Sequence, residues 1–193
     1  MKKQLITLIG LSAILVATVT FFAFTGKNQS VSPQNVPVIE AHTEYAINVD
    51  NPDVIVSHAD LTFVATVIAQ DKTTYSDKVP LENADGSTTM VGSAYTHYTV
   101  DVLKVLKGKI SCGSIKIVKT GGIREDKSAI NVLEGDFMPK VGRTYVFNAY
   151  VQDDGTILLS GQNSNVAVSG GTKADIAQDD NVATYQEAAR KTK

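Results

Sequence analysis

Apolar and polar residues alternate along two stretches of the chain, residues 61–70 (LTFVATVIAQ) and 95–106 (YTHYTVDVLKVL). A period of two marks a strand with one buried face. In the first stretch Leu61, Phe63, Ala65, Val67 and Ala69 share the face predicted to be core, while Thr62, Val64, Thr66, Ile68 and Gln70 share the other. In the second, Tyr98, Val100 and Val102 point inward until the pattern slips after Leu103. One extra residue near Leu103 restores it, as a β-bulge does in a strand that bends around a barrel. Between the two stretches, residues 71–94 are polar and predict a long loop turning at Ala84-Asp85-Gly86, with room for a small hairpin between Val79 and Val91.

Further strands follow downstream. Residues 114–120 (SIKIVKT) put Ile115 and Ile117 inward, and residues 143–151 (RTYVFNAYV) put Tyr145, Phe147, Ala149 and Val151 on one face. Asp153-Asp154-Gly155 then predicts a hairpin turn into residues 156–160 (TILLS), and residues 166–168 add a short edge strand. Residues 122–140 read as irregular, with at most one or two helical turns around 129–133. A helix is predicted over residues 179–191: Asp179 and Asp180 suit its positive end, Arg190 and Lys191 its negative end, and Val182, Tyr185 and Ala189 make one apolar face. Asn51-Pro52-Asp53 reads as a turn or as the start of a short helix, with Val54, Ile55 and His58 on one side, that leads into the first strand. The sum is a mainly β fold, a barrel or sandwich of five main strands with a C-terminal helix.

Ahead of this domain, residues 5–25 carry no charge, and a helix of about 20 apolar residues spans a bilayer core. Lys2 and Lys3 precede the run, which predicts a cytoplasmic N-terminus and an extracytoplasmic domain. A cleaved signal peptide is the rival reading, although its apolar region usually runs about 7 to 15 residues. Ala23-Phe24-Thr25 is also a poor cleavage site. The predicted organisation is therefore a signal-anchor over residues 1–25, a flexible Gly-, Ser-, Asn- and Pro-containing linker over 26–44, and a barrel domain over 45–193.

Composition narrows the functions. A net charge of −2 with no basic stripe offers no footprint for nucleic acid. Cys112 is the only cysteine, so an intramolecular disulfide and a cysteine-built zinc site are both impossible.

The order of features resembles the oligonucleotide/oligosaccharide-binding (OB) barrel, in particular its extracellular netrin-like variants. It is also similar to a group of uncharacterised Gram-positive surface proteins, through A-D-x-x-F-V-A-x-V (residues 59–67), Y-x-V-x-V (98–102), Lys107-Gly108, I-x-V…T-G-G (117–122) and V-G-x-x-Y-V-F (141–147). The resemblance implies a barrel and a cell-surface location. Netrin-like inhibitors act through an N-terminal cysteine and disulfides, which this chain lacks, so no inhibitory residues are implied.

Several candidate sites reduce to local structure. Residues 121–128 (GGIREDKS) nearly spell a phosphate-binding loop, but Asp126 replaces its second glycine and would repel phosphate. The pairs Glu125-Asp126, Asp153-Asp154 and Asp179-Asp180 sit at turns or caps. No motif calls for a cofactor or a metal. The sequence predicts a non-catalytic module that binds a cell-envelope protein or glycan through Tyr75 in the long loop, Tyr95 and His97 on the second strand, and Tyr150 ahead of the Asp-Asp-Gly turn. The alternative is an enzyme whose site gathers His58, Asp60 and His97 from distant segments.

Overall fold

The computed structural model describes residues 36–82 and 85–192. The predicted membrane segment and most of the predicted linker lie outside the described residues. In chain order the elements are β1 (Val38–Ala41), α1 (Pro52–His58), β2 (Leu61–Glu82), β3 (Thr88–Lys107), β4 (Gly113–Thr120), β5 (Gly122–Ile123), β6 (Ile130–Leu133), β7 (Thr144–Val151), β8 (Ile157–Leu159), β9 (Asn165–Ala167), α2 (Lys173–Gln178) and α3 (Asp180–Lys191). Among the described residues no helix is long and apolar enough to cross a membrane.

The main sheet closes on itself. β2, β3 and β4 form an antiparallel meander, and β7 returns to lie antiparallel beside β2, which is a Greek-key order. β8 fills the remaining gap, antiparallel to β7 and parallel to β4, while β9 adds to β7. Alternation decides what faces inward: Leu61, Phe63, Ala65, Val67, Tyr98, Val100, Val102, Ile117, Tyr145, Phe147, Ala149 and Leu159 form one buried cluster inside the ring. The bulge falls where the pattern slips, since Val64 pairs with Lys104 and Ala65 with Val102, leaving Leu103 unpaired.

A second core lies outside the ring. Val64, on the face opposite the predicted core, is fully buried, because α1, α2 and α3 cover β2 and β7 there. Val146 from β7 joins it, packed with Ile55, Val56, Ile176, Val182, Tyr185, Ala188 and Ala189. The helix ends follow their capping residues. Asn51 accepts from the Asp53 amide to start α1, with Pro52 in the first turn, and Asp179 accepts from the Val182 amide to start α3. Val151, expected inside, is instead 46% exposed where β7 leaves the ring.

The largest departure from expectation is the predicted loop over residues 71–94. β2 and β3 run through it as one long hairpin, with Thr74 opposite Tyr95 and Val79 opposite Val91. These residues are polar because the ribbon extends past the barrel and has little core to face, not because they lack strand structure. Beyond Val67 the outer edge of β2 has no strand partner among the described residues, and an open edge invites other chains. Register shifts at Val67/Ala69, Gln70/Lys72 and Ser76/Val79, together with Lys72, Lys78 and Pro80, break up that template.

Where a helical turn is predicted around residues 129–133, Ile130–Leu133 is likewise strand. β6 pairs antiparallel with β5 and parallel with β1, so that Val38–Ala41, inside the segment predicted to be flexible linker, forms ordered structure. Tight packing at Gly122 holds β5 against the barrel. A Cβ there would sit 2.1 Å from Thr96 Oγ1, and φ is +140°, a combination only glycine accepts.

Candidate functional site

Alternation along β3 turns Tyr98 and Thr96 inward and therefore turns Tyr95 and His97 outward. Across the hairpin, Thr74 and Ser76 project on the same side, since Thr74 is the direct partner of Tyr95. Val118 of β4 and Leu158 of β8 are paired neighbours that supply an apolar floor. The β7–β8 turn, Gln152 to Thr156, makes the opposite wall. Together these residues line an open groove of about 510 Å³.

Local hydrogen bonds hold its walls. Asp154 Oδ1 accepts from the Thr156 amide at 2.8 Å, and Gln152 and Thr156 pair through their backbones, which sets the Asp-Asp-Gly turn. On the other wall, His97 Nε2 lies 2.9 Å from Thr74 Oγ1, and the Tyr95 hydroxyl donates to Asp77 Oδ2 at 3.2 Å. Burial, then the nearby Lys72 ammonium, hold the His97 imidazole below its ordinary pKa against the upward pull of Asp71. Burial and the Asp77 contact push the Tyr95 phenol up. At neutral pH the groove thus offers an uncharged imidazole, a phenol, hydroxyls and an amide beside the Asp153 and Asp154 carboxylates. Among the described residues no carboxylate hydrogen-bonds to His97 Nδ1, so His97 lacks the orienting acid of a general-base relay.

The structure brings together Tyr95, His97 and the Asp153-Asp154 turn, but not the other two predicted binding residues. Tyr75 is on the opposite face of the hairpin, where its hydroxyl donates to the Ile123 carbonyl at 3.0 Å and ties β5 to the ribbon. Tyr150 lines a separate small cavity of about 90 Å³ with Tyr45, Ile55, Asn148 and Gln162. One residue of offset on a strand reverses the face, which is why Tyr75 and Tyr95 part company. Thr74, Ser76, Val118 and Leu158 were missed. Thr74 and Ser76 have a defined face only because this part of the predicted loop belongs to β2.

The three residues of the alternative enzyme site have separate local partners, Thr74 being that of His97. The His58 ring stays at the end of α1, near Ser57 Oγ and the Val54 carbonyl, and Asp60 Oδ2 accepts from the Val151 amide at 2.8 Å. Among the described residues no three His, Cys, Asp or Glu side chains are grouped to hold a metal ion. The loop over 121–128 folds on itself, with Asp126 Oδ1 accepting from both the amide and the hydroxyl of Ser128. Cys112 is an exposed, free thiol.

A second concavity, about 550 Å³, lies beside the hairpin between Leu81, Met90, Val91 and Arg124. Its polar groups are largely engaged with one another: Lys78 bridges to Glu125, and Arg124 Nε donates to Asn131 Oδ1 at 2.9 Å. No protein-family model matches the chain, and no curated protein matches it in sequence.

Proposed function

We propose that the chain is a non-catalytic extracytoplasmic binding module, tethered to the cell membrane through residues 1–25, that takes a cell-envelope protein or glycan in the Tyr95–His97 groove. The observation that carries this reading is the groove itself, where an apolar floor of Val118 and Leu158 lies between neutral hydrogen-bonding side chains and the Asp153-Asp154 turn. Such a surface can pack a ligand's apolar face and hydrogen-bond its edges at once. The closed five-strand ring with Greek-key order supports reading the fold as an OB-like barrel of the netrin-like kind. In that reading the groove covers the outer face of the second and third barrel strands.

The Tyr95→Ala/His97→Ala/Asp153→Ala triple variant is expected to lose capture of the envelope ligand retained by the wild-type chain. Its fold should persist, because Asp153 is exposed and Tyr95 and His97 lie half-buried on the outer face, away from both cores. Tyr75→Ala, on the other face, is expected to leave capture intact. Affinity measured for all three chains decides the matter, and an unchanged triple variant would move the site elsewhere.

The tether has its own test. In fractionated cells the protein is expected in the membrane pellet, with the domain released by protease added outside whole cells. Mature protein in the medium beginning near Gly26 would replace the anchor with a cleaved signal.

A further inference from the structure

Lys119 is a charged side chain sealed inside the barrel. It alternates inward from β4 opposite Thr96, and its side chain is 0% exposed; that of its partner Asp136 is 1% exposed. Nζ lies 2.5 Å from Asp136 Oδ2, 2.6 Å from Ser164 Oγ and 3.5 Å from the Gly161 carbonyl. The other carboxyl oxygen, Oδ1, accepts from the Phe137 amide at 2.8 Å. Two opposite charges removed from water are costly to keep as ions. Burial pulls the Lys119 ammonium down and pushes the Asp136 carboxyl up, and the attraction between them opposes both shifts. Transfer of one proton across this contact leaves a neutral amine against a neutral carboxylic acid, out of reach of bulk water.

An amine and a carboxyl are the reactants of an amide condensation, and the fold holds the two in hydrogen-bond contact. We propose that Lys119 and Asp136 are joined by an intramolecular isopeptide bond. The Nζ lone pair attacks Cγ of the protonated Asp136 and forms the C–N bond. The carbonyl electrons move onto Oδ1, where the Phe137 N–H stabilises the developing charge as an oxyanion-hole donor does. Ser164 Oγ takes a proton from Nζ and returns one to the Oδ2 hydroxyl. The C–Oδ2 bond breaks, the carbonyl re-forms, and one water leaves. Amine plus acid give amide plus water, so the step needs no oxidant and no cofactor.

The bond would link β4 to the segment between β6 and β7, 17 residues further on, and enclose β5 and β6 in a covalent ring. A chain with one cysteine has no disulfide available for that closure.

Peptide mapping of the full-length chain, solubilised in detergent, denatured and digested with trypsin, tests the proposal directly. The expected product is a branched peptide joining residues 117–124 to residues 128–140, lighter by one water than the two linear peptides together, with no cleavage after Lys119. Lys119→Met and Asp136→Ala chains are expected to yield no branched peptide. Two separate linear peptides from the wild-type chain, with normal cleavage after Lys119, would overturn the proposal and leave an ion pair only. The wild-type digest is decisive even where a variant fails to fold.

Discussion

Phe147→Ala is expected to destabilise the domain by about 3 to 5 kcal/mol, the range for truncating a large buried aromatic. Phe147 is fully buried and sits directly opposite Phe63 in the β2–β7 pairing, the contact that closes the ring. Its ring centroid lies 5.6 Å from Phe63 and 5.6 Å from Tyr145, so alanine would open a cavity flanked by two aromatic rings. Against a typical total of about 5 to 15 kcal/mol, that loss leaves the fold marginal or unfolded at physiological temperature. Urea denaturation followed by circular dichroism measures it, with Val151→Ala on the same strand as the control. Val151 is 46% exposed and its truncation is expected to cost less than about 0.5 kcal/mol. Equal midpoints for the two variants would mean that β7 does not close the barrel.

The second large effect belongs to Asp136→Ala, expected to cost about 3 to 5 kcal/mol by leaving Lys119 buried without its partner, with the loss of the cross-link added to that. Removing both charges in Lys119→Met/Asp136→Leu is expected to recover part of this, because no unpaired charge remains and the replacements are apolar. A simple ion pair would let the double variant return to wild-type stability or exceed it. With the amide in place the double variant instead stays below wild type by about 3 kcal/mol, the scale of closing a loop of this length. Denaturation curves for wild type, both single variants and the double variant complete the cycle.

How far these features were legible varies along the chain. Most inward apolar residues of β2, β3, β4 and β7, the bulge at Leu103, the Asp-Asp-Gly turn and the cap at Asp179 were readable, since each depends on neighbours within a few positions. Val64 was misassigned for a reason that lies elsewhere in the chain. Alternation identifies two faces of a strand, but only α1 and α3, more than 100 residues apart, determine that the second face is covered too. Residues 71–94 look like loop to any count of apolar residues, yet within them β2 up to Glu82 and β3 from Thr88 pair across a hairpin.

The candidate site shows the same division. Tyr95, His97 and the Asp153-Asp154 turn could be named from their segments, but their meeting depends on β8 adding parallel to β4, a long-range pairing with no local signature. Lys119 stood on the inward face of a readable strand and was still overlooked, because a lysine counts as polar and outward until a carboxylate is seen beside it. The local period determined which residues a strand buries, where it turns and how its helices begin, since sterics and hydrogen bonding act between near neighbours. Only the tertiary structure decided which faces meet, because the burial that stabilises a ring, a second core or a charged pair is shared by segments that become neighbours only when the chain closes.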